Sequence, residues 1–132
     1  MPSHRPATAY DLFGLVWTTL ADIMGTAATA TLLRRAAREA ALEEPELQQV
    51  VIRREGLQYR YELPEAWHRT QQSHAVMALR ALLRELGPIL VELTGSVVVT
   101  RLAQLEPLRD AGVLTIEETA AWLNAHEHPN AT

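Results

Sequence analysis

The chain contains no cysteine and no lysine. Without cysteine there are no disulfides, thiolate zinc sites, iron–sulfur ligands or thiol nucleophiles. Without lysine there is no Walker A phosphate loop and no Schiff-base or general-base lysine, since each needs an ammonium group at a fixed place. Aromatic residues are also scarce, at 5%. That leaves few platforms for stacking nucleic-acid bases. Long apolar runs are missing too: the least charged stretch, residues 87–100, is interrupted by Glu92 and is too short to cross a bilayer. The opening MPSHRPATAY carries a charge and two prolines where a signal peptide needs an unbroken apolar run. No membrane contact and a cytoplasmic location are therefore expected.

What is present is ordinary globular composition. Hydrophobic residues make up 48% and charged residues 21% of 132 positions, enough for one domain with a real core. The reading is residues 1–8 disordered, 9–125 a single globular domain, and 126–132 a frayed tail. All twelve basic residues are arginine and alanine is abundant, a pattern that fits a GC-rich bacterial genome. A net charge of −4 disfavours nucleic acid as a partner.

Helical periodicity is strong over residues 9–24, where Leu12, Val16, Leu20 and Ile23 recur on one face beside Phe13 and Trp17. Gly25 interrupts the pattern, and Thr26 is placed to cap an alanine- and leucine-rich second helix. Small residues from Gly25 to Ala30 would let another backbone approach closely. On the second helix, Arg34, Arg35 and Arg38 fall near one face as a candidate anion patch, although a solvated helix face gives the same pattern.

Alternation over residues 49–63 predicts an antiparallel β-hairpin. With Glu55-Gly56 as its turn, Ile52 faces Tyr59 and Val50 faces Tyr61. Val50, Ile52, Leu57, Tyr59, Tyr61 and Leu63 then form the covered face, and Arg53, Gln58, Arg60 and Glu62 the open one. Two strands are marginal alone, so helices or another chain must cover them. The neighbouring Tyr59, Arg60, Tyr61, Trp67 and His68 form the densest group of aromatic and titratable side chains and a candidate ligand or partner surface. The alternative is that they seal the hairpin onto the helices.

A third helix from about Thr70, with Val76, Leu79, Leu83 and Leu86 inward, is expected to stop at Gly87-Pro88, with Pro88 opening the next. Residues 96–100 keep helical spacing, but their β-branched run leaves a third strand as the alternative. On a helix, Glu92, Ser96 and Thr100 would align as a polar seam. Thr115 and Glu118 form a capping-box pattern that opens a final helix docked by Trp122 and Leu123. The fold class is thus α+β and predominantly helical, with about five helices packed on one hairpin.

No motif points to chemistry, so the chain is read as non-enzymatic, with no cofactor and no metal. His68 and His74 are not spaced for one helical face, and His126-Glu-His128 lies in the tail. The expectation is a small regulatory or adaptor protein acting through contacts with an unidentified protein partner, and forming a homodimer through residues 25–30 or 96–100. Alternatives are a sensor holding a small hydrophobic or haem-like ligand, with His68 or His74 as axial ligand, and a nucleic-acid-binding regulator using the arginine patch.

Overall fold

The computed structural model describes residues 7–69 and 73–127. Its elements run α1 (Ala9–Met24), α2 (Thr26–Ala40), a 3₁₀ turn (Pro45–Gln49), β1 (Val51–Glu55), β2 (Gln58–Glu62), a second 3₁₀ turn (Glu65–His68), α3 (Ser73–Thr94), α4 (Val97–Ala103), α5 (Glu106–Asp110) and α6 (Ile116–Glu127). The fold is predominantly helical α+β with one antiparallel hairpin. No helix among the described residues is long and apolar enough to cross a membrane.

α1 starts at Ala9 because Thr8 and Asp11 close a capping box: Asp11 N–H donates to Thr8 Oγ1 and Thr8 N–H to Asp11 Oδ2, each at 3.0 Å. Thr8 is buried and belongs to the fold rather than to a disordered start; residues 1–6 lie outside the described residues. Gly25 separates α1 from α2 at φ 86° and ψ 164°, a region open essentially to glycine alone. It caps both helices through its backbone, donating to the Ala21 carbonyl at 2.9 Å and accepting from Thr29 N–H at 3.2 Å and Oγ1 at 2.7 Å. Thr26 is not the expected cap: Gly25 is the N-cap, and no side chain bonds there. Along α2, Ala30, Leu33, Ala36, Ala37 and Ala40 are buried, and the alanines let α2 lie closely along α3.

α3 is one helix through Gly87-Pro88, not two. Proline removes an N–H from a helix interior and its ring crowds the preceding turn, at a cost of about 3 kcal/mol. Here Pro88 and Arg84, whose carbonyl loses its partner, are both on the exposed side, so water can satisfy that oxygen. Gly87 is needed for a different reason. A Cβ built there would lie 2.5 Å from the Trp122 ring of α6, so the glycine lets that indole pack directly on the α3 backbone.

The break falls instead at Gly95, where φ 68° ends α3 and a bend leads into α4. Residues 97–103 are helical, so the third-strand alternative fails for 97–100, and Ser96 is the N-cap rather than part of a strand. Gly87 to Leu105 is therefore shared between two helices. With short α5 added, six α-helices lie among the described residues. Thr115 caps α6 by accepting from Glu118 N–H at 3.1 Å, and Arg80 Nη2 of α3 reaches Glu118 Oε1 at 3.0 Å. α6 continues to Glu127, beyond the expected end of the globular part at 125.

The hairpin pairs Ile52 with Tyr61, Arg54 with Tyr59 and Glu55 with Gln58. The two-residue turn is thus Gly56-Leu57, not Glu55-Gly56. A primed turn needs positive φ at its first central position, and Gly56 at φ 64° supplies it where Glu55 would be strained. The register moves by two residues, so every strand side chain keeps its face. Leu57 alone leaves the covered face: it sits in the turn and is 91% exposed. On the open face, Arg53 pairs with Glu62 and Arg60 with Glu55.

Gly87→Ala is expected to lower stability by about 1–3 kcal/mol, as overpacking does. Urea unfolding of the single variants and of Gly87→Ala/Trp122→Ala checks the cause: the double variant must lose less than the sum of the two.

Candidate functional site

The five residues proposed around the hairpin do not line one concavity. Tyr61 projects from β2 into the rings of α1, with centroids 4.8 Å from Phe13, 5.4 Å from Trp17 and 6.2 Å from Tyr10. Burial, and secondarily the neighbouring Tyr10 hydroxyl, push its pKa above the ordinary tyrosine value. Tyr59 lies beneath the Arg34 guanidinium at 6.0 Å, and Arg60 points to the opposite face. His68 is exposed and stacks on Tyr10 at 4.4 Å, beside a shallow polar hollow of about 230 Å³ that Thr8 and Asp11 complete. Trp67 is not part of a surface: it is 0% exposed, and its indole Nε1–H donates to Glu46 Oε2 at 3.0 Å. A buried indole needs such an acceptor. The sealing alternative describes Tyr61 and Trp67.

The arginines are divided as well. Arg34, Arg35 and Arg38 are all exposed, but Arg34 donates from Nε and Nη2 to the Ile52 carbonyl at 3.0 and 2.8 Å. It thereby ties α2 to the open edge of β1, occupying an acceptor that a sheet edge leaves unpaired. Between them runs a groove of about 550 Å³ lined by Arg34, Arg38, Ala41, Leu42, Leu47 and Val51. Arg38 borders it; Arg35 is not among its lining residues.

Glu92, Ser96 and Thr100 are all exposed. They also do not share a helix, since Gly95 divides Glu92 in α3 from Ser96 and Thr100, which belong to α4 and its cap. No interior seam forms, and Glu92 needs no buried partner. Beside them lies a feature that the seam does not include: a hollow of about 450 Å³ between the end of α1, the start of α2 and the end of α3. Met24, Ala27, Ala28, Leu32 and Leu93 supply its apolar walls, and Thr31 and Thr94 complete it, so no charged residue lines it. Leu93 projects at its rim, 64% exposed, and Ile23 and Val97 nearby in the chain are also exposed.

One side-chain cluster has no counterpart in the sequence reading. Glu44 and Glu46, on the connection after α2, meet His74 at the start of α3. His74 Nε2 lies 2.9 Å from Glu46 Oε1 and 3.9 Å from Glu44 Oε2. The side chains of Glu44 and Glu46 are only 20% and 15% exposed, whereas His74 is largely in solvent. Glu46 Oε1 is buried, and its contact with His74 lacks hydrogen-bond geometry. The available signal was EExE ending a helix, which reads as a solvated acidic run unless the distant histidine is known to return to it. Of the other histidines, His4 and His128 lie outside the described residues, as does Thr70, the expected start of α3.

Arg34→Ala should cost about 1–2 kcal/mol through the lost charged hydrogen bond, whereas Arg35→Ala and Arg38→Ala should stay within about 0.5 kcal/mol; thermal unfolding distinguishes them. For Tyr61 the pKa is raised in the folded state, so its contribution is full below the unfolded value and is lost as pH rises through the folded one. Stability should therefore fall above about pH 10, and Tyr61→Phe should flatten that part of a denaturation-versus-pH curve. Compared with known proteins, the chain matches no family model, no curated protein and no solved structure.

Proposed function

We propose that this protein acts through protein contacts rather than chemistry, and that it pairs with a second copy of itself through the hollow at the α1–α2–α3 end. The observation that carries the reading is the combination at that place of an open apolar hollow and a protruding apolar side chain. A twofold contact brings the same patch of both subunits together, so it must be self-complementary. The 450 Å³ hollow and exposed Leu93 provide a hole and a knob on one surface. Because no charge lines the hollow, apposing two copies there sets no like charges against each other. Exposed Ala27 and Ala28 allow close backbone approach, and Ile23 and Val97 extend the apolar area that association would remove from water.

An adaptor role follows from the rest of the surface. The groove between α2 and β1, with its apolar walls and Arg38 at the border, remains available to a segment of another protein when the apolar end of α2 is covered. A ligand-sensing role has less support: Trp67 is wholly buried and its one polar group is already bonded to Glu46. Nucleic-acid binding has less support again, because Arg34 is committed to Ile52.

Multi-angle light scattering should give a dimer mass at micromolar concentration. Leu93→Asp, a change at an exposed position, should shift it to the monomer while leaving the far-ultraviolet circular dichroism unchanged. A wild-type monomer across that range, or a dimer indifferent to Leu93→Asp, would sink the proposal.

A further inference from the structure

We infer that Glu44, Glu46 and His74 form a binding site for a divalent transition-metal ion of the zinc class. Three lines of observation converge on it. The first is spacing. An ion bonded at about 2.0–2.2 Å to nitrogen and oxygen donors holds adjacent donor atoms roughly 3.0–3.6 Å apart, from octahedral to tetrahedral geometry, so the contacts here need only small side-chain adjustments. His74 Nε2 and Glu46 Oε1 are 2.9 Å apart, and the ligand atoms of all three residues lie within 4.8 Å of one another. His74 is largely exposed, so its ring can rotate to shorten the 3.9 Å separation from Glu44 without disturbing packing.

The second is the state of Glu46. Oε1 is shielded from solvent and faces His74 Nε2 at 2.9 Å, without hydrogen-bond geometry between them. A buried carboxylate oxygen left this way is costly, and a cation between the two side chains would satisfy both. Among the described residues, no arginine pairs with Glu44 or Glu46.

The third is the support behind the ligands. The other oxygen, Oε2, is held by the indole N–H of wholly buried Trp67 at 3.0 Å. That leaves Oε1 as the oxygen presented to His74, the way outer hydrogen bonds orient metal-binding side chains. One imidazole and two carboxylates without sulfur suit zinc or its first-row neighbours, with remaining positions open to water. An ion there would clip the connection after α2 onto the first turn of α3. The expectation of no metal came from histidine spacing along the chain, which is blind to ligands joined only by folding.

The test is isothermal titration of the metal-stripped full-length protein with zinc chloride, paired with thermal unfolding and tryptophan fluorescence. Because His126-Glu-His128 could hold zinc by itself, His126→Ala/His128→Ala serves as the background. In that background one ion per chain should bind, raise the unfolding temperature by mass action and change tryptophan emission. His74→Ala, at an accessible position, and Glu44→Gln, which keeps the side chain's size and shape, should each weaken binding by about tenfold or more. No binding in the His126→Ala/His128→Ala background, or binding undiminished by His74→Ala, overturns the assignment.

Discussion

The hydrogen bond from buried Trp67 to Glu46 holds several otherwise separate pieces together. Trp67 sits in the second 3₁₀ turn, against Phe13 of α1 at 6.4 Å, and its partner comes from the first 3₁₀ turn. The two turns flank the hairpin, so this one bond closes the hairpin's base while the indole fills the core beside α1. A large apolar ring can be buried this completely only because its single donor is satisfied. Removing the acceptor would leave a buried N–H unpaired, and removing the ring would leave a cavity beneath both turns.

From that anchor the hairpin is fastened to the helices along both strands. Tyr61 inserts among the aromatic rings of α1, and Arg34 grips β1 from α2. A two-stranded sheet cannot support itself in water, and here each strand has its own helix. Opposite, α2 and α3 pack through alanines and leucines, and Gly87 lets α6 settle onto α3 through Trp122. The polar cluster and the apolar hollow therefore lie where elements end, at the start of α3 and at the end of α3 respectively. The densely packed middle of the helices has no room for either.

The elements were largely legible from pattern. Helical periodicity placed α1 to the residue, alternation placed the hairpin and its covered face, and the Thr115–Glu118 spacing placed the start of α6. The errors arose where two local rules competed. Gly87-Pro88 is a strong stop signal, but tertiary packing on one side and solvent on the other made the helix tolerable through it. Gly56 could occupy either turn position, and its need for positive φ decided the register. The candidate sites were far less legible. Trp67 looked like part of a ligand or partner surface because nothing local reveals that Glu46 will meet its N–H. The arginines looked equivalent until one of them found a strand carbonyl.

By itself the sequence determined most of the helical segments, the hairpin and which face of each is apolar, because those follow from side-chain period and backbone preference within a few residues; the continuity of α3 and the state of residues 96–100 it left to the fold. It also determined the chemistry that is missing, since no fold can supply a thiolate or an ammonium group that the chain lacks. Only the tertiary structure decided which polar groups meet. Glu44, Glu46 and His74 converge because the chain between them leaves through the hairpin and returns, and Leu93 stands beside Ala27 and Ala28 because α2 and α3 pack side by side. Such meetings depend on long-range packing, to which a residue's sequence neighbours contribute little, so they are invisible until the core is assembled.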